Sequence, residues 1–381
     1  MNRVAVESRL LAWARERAGR STESLASSFP KLSEWEAGDS RPTLKQLESF
    51  AKAVHVPVGY LFLREPPDEP VPIPDFRTMA DAALGRPTPD LLDTIYLCQQ
   101  RQDWYRDFAR QMGDPPVPFV GALRVGDDVV RSAAAIREAL GFDLDARRQS
   151  PTWTEALRQF IEQADALGVL VMVSGVVGSN NRRKLDPEEF RGFALADPLA
   201  PLVFINGADT KAAQMFTLAH ELAHIWLGET ALSDARASEV PAQAVERWCN
   251  RVAAELLVPL EVFRAEHHRR AELRPELDRL ARRFKVSTLV ILRRMHDAGT
   301  LRGDAYWTAF DEELERLRSL PGGSGGNFYL TLGARASKRF ARALVISTLE
   351  GRSSFTEAFR LLGFKKMATF RELGHSLGVG F

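Results

Sequence analysis

The stretch Phe216-Thr-Leu-Ala-His-Glu-Leu-Ala-His-Ile-Trp-Leu-Gly228 constrains this chain more than any other. Met215, Phe216, Leu218, Ala219, Leu222, Ala223, Ile225 and Trp226 make it apolar on nearly every side, as a fully buried helix is. Into that setting it places His220, Glu221 and His224, an HExxH pattern. Residues four apart share a helix face, so both imidazoles can present nitrogens to one ion. Burying two histidines and a glutamate in hydrocarbon is costly unless something satisfies them. A metal ion does so. Two nitrogen donors, an open position for water, and Glu221 beside them to take a proton are what a zinc hydrolase requires.

A third donor has to come from elsewhere. Val240 to Leu257 reads as a second helix, apolar at Val245, Trp248, Cys249, Val252, Leu256 and Leu257, and stopped by Pro259. Glu246 and Asn250 lie four apart on it. Glu246 is assigned as the third ligand, and Asn250 as the residue that orients a ligating histidine through its second ring nitrogen. Glu255, on the same helix, is the alternative ligand. The competing reading of either glutamate is a surface ion pair with Arg247 or Arg251.

His220-Glu-Leu-Ala-His224 followed by Glu246-Arg-Trp-Cys-Asn-Arg-Val-Ala-Ala-Glu-Leu-Leu-Val-Pro259 resembles the ImmA/IrrE family of zinc metallopeptidases. Their pattern is an HExxH helix and then a helix ending in a sequence like AAELLMP; here Val258 stands in the methionine position, a swap of tolerable volume. The resemblance covers about residues 160 to 260. It implies a compact zincin-like protease domain, with His220, His224 and Glu246 holding one Zn2+ and Glu221 as general base. It also implies a helix-turn-helix repressor as substrate, cleaved to release transcription.

A chain of 381 residues has length for two or three domains, and its composition is that of an ordinary globular protein. A net charge of +1 supports no global argument for nucleic acid. The two cysteines, Cys98 and Cys249, form no CxxC, and Cys249 is expected as a buried free thiol. With no signal peptide at the N-terminus and no run long enough to span a membrane, a cytoplasmic location is expected.

Residues 1–65 read as short helices. Val6, Leu10, Leu11 and Trp13 open the first. Arg20 to Ala26, with Ser21 or Ser24 as cap, opens the next, followed by Leu32 to Gly38, Pro42 to Ala51 and Val56 to Phe62. This string resembles an XRE-type helix-turn-helix module. Only eight residues separate Ala26 from Trp35, however, too few for a full recognition helix. Basic and acidic residues nearly cancel there too, so the module is read as degenerate, with docking, dimerisation, DNA binding or a structural remnant all open. Residues 66–80 form a proline-rich, semi-rigid linker. The Pro-Asp-Phe-Arg-Thr text beginning at Pro74 also follows this module in ImmA/IrrE-like proteins.

Residues 81–160 read as a helical scaffold and 161–318 as the protease domain. Val169 to Ser174, Gly192 to Leu195 and Leu202 to Asn206 are its expected strands. The last is expected at the sheet edge beside the cleft, where it can bind substrate backbone by strand addition. Asn206 then either touches substrate or makes the turn into the next helix. His267, His268 and His296 are histidines that can polarise a reacting carbonyl, and none is assigned that role.

A glycine-rich linker, 319–326, precedes a basic helical C-terminal domain, 327–381, with nine Lys or Arg against three Glu. Phe355 to Leu373 reads there as helix, glycine turn, helix. This domain is the better candidate for a nucleic acid or an acidic partner surface, and the competing reading is a solubilising basic face.

The fold class expected is α+β: a zincin-like metallopeptidase domain with a small mixed sheet, an all-α helix-turn-helix-like domain before it, and a small helical domain after it. The function expected is zinc-dependent cleavage of an XRE-type repressor or antitoxin-like regulator. The alternatives are a DNA-binding regulator whose metal is sensory or structural, and a partner protein without turnover. An intact HExxH argues against the last of these, since a structural site has no need of Glu221.

Overall fold

A computed structural model describes residues 3–75, 87–233, 243–319 and 335–380. Outside them lie nearly all of the linker expected at 319–326, the start of the C-terminal domain at 327–334, Phe76 onward in the proline-rich linker, and the first residues of the helix expected from Val240. The described residues group into two compact units, 3–72 with 87–95 and 73–75 with 96–380.

The first unit contains α1 (Ser8–Arg17), α2 (Thr22–Ala26), α3 (Leu32–Ala37) and α4 (Leu44–Ala53), then a 3-10 turn over Val58–Phe62. Ser21 caps α2, its hydroxyl accepting from the Ser24 amide at 3.2 Å. Thr43 and Gln46 form a reciprocal capping box at the start of α4. Leu10, Leu11, Trp35, Leu47, Phe50 and Leu61 close the core. The short interval before Trp35 leaves α3 only six residues.

In chain order the second unit contains residues 96–112 of α5 (Pro89–Met112), α6 (Val129–Leu140), α7 (Leu144–Gln149) and α8 (Trp153–Ala166). Strands β1 (Leu170–Ser174), β2 (Gly192–Leu195) and β3 (Leu202–Asn206) follow, then α9 (Lys211–Leu227), β4 (Ala231–Ser233) and α10 (Ala244–Leu257). The rest is helical: α11 (Leu260–Glu266), α12 (Leu273–Phe284), α13 (Thr288–Asp297), α14 (Gly303–Ser319), α15 (Lys338–Leu349), α16 (Phe355–Leu362) and α17 (Met367–Ser376). The α+β class and the small mixed sheet are as expected. No helix among the described residues is long and apolar enough to cross a membrane.

The strand order is β1-β3-β2-β4, with β1 parallel to β3 and the other pairs antiparallel. This corrects the expectation that Leu202–Asn206 is an edge strand. Its register with β1 (Val171 to Val203) and with β2 (Phe193 to Phe204) occupies both sides, and every residue in it is buried. Strand addition there would have no free backbone to meet. One edge belongs instead to β4, a strand of three residues that bridges Asp75 through Leu232.

Side chains alternate across the sheet. Val171, Ala194, Val203 and Ile205 join the core built on α8 and α9. On the opposite face Phe193 stacks on Phe204 at 5.0 Å. Met172 meets Cys98 of α5, whose neighbour Gln102 donates to the carbonyls of Leu195 (2.9 Å) and Ala200 (2.8 Å). Burial on both faces explains why these strands read as unbroken apolar runs.

Two clamps fix α9 and α10. The carbonyls of Ile225 and Trp226 at the end of α9 accept from the amides of Gly121 (3.3 Å) and Leu123 (3.0 Å). That approach needs Gly228, which has φ +72 and where a Cβ would lie 2.9 Å from the Gly121 Cα. At the end of α10, Arg137 of α6 donates to the Glu255 carbonyl at 2.7 Å. The Glu255 carboxylate pairs with Arg294 of α13 at 2.8 Å, with both side chains nearly fully buried. Glu255 is thereby committed to an ion pair rather than to a metal.

Between α11 and α12, Glu276 accepts from the His268 amide (2.8 Å) and from Arg279, and His267 Nδ1 lies 3.3 Å away. Burial works against its charge, yet Arg279, the His268 amide and His267 outweigh it and hold the carboxyl at about 2.

Two outcomes follow for stability. Arg294→Met should cost about 3–5 kcal/mol in denaturant unfolding by stranding Glu255, and adding Glu255→Leu should recover part of it. Glu276→Gln should lower the thermal midpoint near neutral pH. Because the folded carboxyl lies below its ordinary 4.5, its contribution is present above that pH and should fade as pH falls toward 2. A variant difference that stays constant over that window would refute the electrostatic account.

Candidate metal centre

Helix α9 starts at Thr210, whose hydroxyl accepts from the Ala213 amide, and runs through thirteen consecutive buried residues from Gln214 to Trp226. The i, i+4 spacing brings His220 Nε2 to 3.1 Å from His224 Nε2. Helix α10 packs alongside and points Glu246 between them, with Oε2 3.2 Å from His220 Nε2 and Oε1 2.9 Å from His224 Nε2. The three side chains can offer donor atoms that all lie within 4.8 Å of one another. Donors at 2.0–2.2 Å from a tetrahedral ion stand about 3.3 Å apart, so this set is shaped for one. Two imidazoles and a carboxylate also suit zinc chemically.

The centre is closed. His220, Glu221 and His224 are 0% exposed and Glu246 2%. Burial raises the Glu246 carboxyl, but the two imidazoles hold it well below the usual carboxylate range. Burial, against the opposing Glu246 charge, lowers His224 and favours the neutral ring that ligates metals. Glu221 differs: burial, then the Glu246 charge, pushes it well above the carboxylate range, and the Ser233 hydroxyl only partly opposes this. That influence of Ser233 falls short of a formed hydrogen bond, and neither Glu221 oxygen has a partner among the described residues. A carboxylate in that condition is suited to exchange a proton with a small polar molecule beside it.

Asn250 is buried one turn after Glu246. Its Oδ1 and His220 Nδ1 both lack partners among the described residues, so the orienting bond expected between Asn250 and that ligand is not formed there. Asn206 is fully buried; its amide donates to the Phe190 carbonyl (3.1 Å) and its oxygen accepts from the Ala208 amide (3.1 Å). Of its two readings, this geometry is the turn. His267 and His268 serve Glu276, and His296 packs its ring 4.5 Å from Tyr306. Cys249 is a buried free thiol, driven well above its ordinary range by burial and then by Glu246.

Two residues at the centre were not read from the sequence. Ser233, at the end of β4, places its hydroxyl 3.3 Å from His224 Nε2 and 3.4 Å from Glu246 Oε1. A three-residue strand has too little periodicity to announce it. Gly192 of β2 faces α9, where a Cβ would lie 2.6 Å from Thr217 Cγ2, 2.8 Å from the Phe204 carbonyl and 3.3 Å from Glu221 Oε1. A glycine inside an apolar strand is a signal of such close approach. A cleft of about 1070 Å³ reaches Phe216, one turn before His220, and is lined also by Arg191, Asp209, Trp307 and Phe310.

Residues 164–296 match the family described as an IrrE N-terminal-like domain (Peptidase_M78). Residues 336–376 match a domain of unknown function (DUF8813). The radiation response metalloprotease IrrE of Deinococcus radiodurans is 38% identical over 96 residues, covering 24% of this chain and 29% of that protein. The match thus spans less than a third of that relative. These similarities support kinship with the ImmA/IrrE family and a metalloprotease domain in this chain.

Replacing Glu246 or His224 with Ala should weaken zinc binding by more than roughly a hundredfold, beyond what removing an outer partner does. Metal analysis after dialysis against a zinc buffer measures it, and undiminished zinc in Glu246→Ala would refute the assignment. Gly192→Ala should keep the metal yet cost about 1–3 kcal/mol through overpacking against Thr217.

Proposed function

We propose that this chain is a zinc-dependent endopeptidase that cleaves a helix-turn-helix repressor or antitoxin-like regulator. The observation that carries this reading is an unbonded, fully buried Glu221 beside a convergent His220, His224 and Glu246 set. Zinc held by those three would act as a Lewis acid on a peptide carbonyl and lower the pKa of a water to near neutrality. Glu221 takes the proton of the attacking water and returns it to the leaving amine. Its raised pKa suits both halves of that exchange. Glu246 stays ionised throughout, as its depressed pKa favours. The cleft reaching Phe216 is assigned to substrate side chains.

The substrate class rests on the resemblance to ImmA/IrrE proteins. So does the assignment of residues 1–65 as an XRE-like module in a cytoplasmic protein. With α3 at six residues, that module is better suited to docking a partner of its own fold than to reading DNA. Deleting residues 1–70 should then reduce cleavage; unchanged cleavage would remove the docking role.

The decisive experiment compares cellular protein N-termini with wild-type and Glu221→Gln protein expressed, with and without stress. New termini within one regulator, seen only with wild type, are expected. No difference under any condition, with zinc bound in both, would overturn the protease reading.

A further inference from the structure

The C-terminal residues 335–380 contain a bihelical unit that the metal chemistry does not use. Helix α16 ends at Gly363, which has φ +77, and a turn over Gly363–Lys366 leads into α17. A four-residue turn opened by a left-handed glycine is helix-turn-helix geometry. The angle is held by Phe355, Phe359, Phe364 and Phe370, with ring centroids 5.4–6.5 Å apart. Helix α15 backs the pair through buried Phe340, Leu344 and Val345.

The unit is fixed to the sheet domain by its other side. Arg101 of α5, fully buried, donates to the carbonyls of Leu361 (2.9 Å) and Arg335 (2.8 Å). Trp104 packs edge-on against Phe340 at 5.5 Å, and Arg360 bonds Gln100.

What α17 leaves in solvent is a regular stripe. It buries Phe370, Leu373 and Gly374 and exposes Met367, Ala368, Arg371, Glu372, His375 and Ser376, the outer face of one helix. Lys365 and Lys366 lead into it, both exposed. Among the described residues the side chains of Lys365, Lys366 and Arg371 make no ion pair or hydrogen bond, and the Glu372 side chain does not pair with its neighbour Arg371. Residues 335–380 contain nine Lys or Arg against three Glu, whereas the whole chain is almost neutral.

We propose that α16 and α17 bind duplex DNA, with α17 in the major groove. A ten-residue helix is about 15 Å long and, with side chains, about 10–12 Å across, which a groove about 12 Å wide admits. Lys365 and Lys366 meet phosphates on entry. Arg371 reaches a guanine edge, and Ala368 beside it is small enough to allow the approach. An acidic protein surface would also attract these cations. It would not call for a narrow stripe on the second helix of a fixed turn. This binding is independent of zinc and of Glu221.

Fluorescence anisotropy of the full-length protein with a labelled 30-base-pair duplex of mixed sequence tests the proposal. Wild type and Glu221→Gln should bind alike, weakening as salt rises from 50 to 200 mM. Lys365→Ala/Lys366→Ala should bind at least tenfold more weakly at 100 mM salt and lower the salt slope by about 1.8. The Lys365→Arg/Lys366→Arg protein should bind as wild type, which separates charge from folding. In selection from randomised duplexes, Arg371→Ala should lose preference at one base pair. Absence of wild-type binding at 50 mM salt, or undiminished binding by the double alanine variant, would overturn the proposal. Competition by polyglutamate as effective as by unlabelled duplex would also overturn it, in favour of an acidic protein partner.

Discussion

A carboxylate forced between two imidazoles, with no solvent to share the charge, is the interaction around which this domain is built. Glu246 is stable as an anion there only because His220 and His224 face it at 3.2 and 2.9 Å. The histidines in turn have no other reason to sit in a helix buried along thirteen residues. Removing any one of the three strands the others in a low-dielectric interior, where an unpaired charge or imidazole is expensive. The same burial acts oppositely on Glu221, which has no cation within bonding distance and so tends to hold its proton. One environment thus makes two carboxylates chemically distinct: one held as an anion, the other inclined to keep its proton.

That division requires α9 and α10 to stay in register to within a few tenths of an ångström, and the surrounding structure supplies the constraint. Gly121 against Gly228 fixes the end of α9, and Gly192 lets β2 lie against its middle without displacing Glu221. Arg137 and Arg294 hold the far end of α10 through a backbone carbonyl and a buried ion pair. Two of these contacts, Gly121 with Gly228 and Arg137 with Glu255, join parts of the chain more than a hundred residues apart. They are features of the fold, not of any local motif.

This explains what could be read from the sequence and what could not. His220, Glu221 and His224 stand out because polar side chains at that spacing conflict with an apolar helix, and the structure brings His220 and His224 together with Glu246. Glu246 is one turn before Asn250 on a helix whose apolar side is plain, so its direction could be inferred. The rank of β3 inside the sheet could not. Nothing in Leu202–Asn206 tells a central strand from an edge strand when both faces are buried, and the neighbour that takes the edge, β4, is only three residues long. Ser233 went unread for the same reason. The proposed bond from Asn250 to a ligand failed on a finer scale: sharing a helix face with Glu246 does not ensure that an amide meets an imidazole on the next helix.

The two ends of the chain differ in the same physical terms. In the N-terminal unit α3 has six residues, and Phe29, Trp35 and Phe50 are spent on the core. In the C-terminal unit the aromatic residues also form the core, but the second helix keeps ten residues, with Arg371 on its outer face and Lys365 and Lys366 leading into it. Uncompensated surface charge raises self-repulsion within a small unit, and solubility alone is served as well by charges scattered over its surface. Grouping Lys365, Lys366 and Arg371 at a fixed turn and the helix after it gives the chain a direction of approach to a polyanion. A protease acting on DNA-bound repressors would gain local concentration from such an arm, since its substrate and its own docking site would lie on the same duplex.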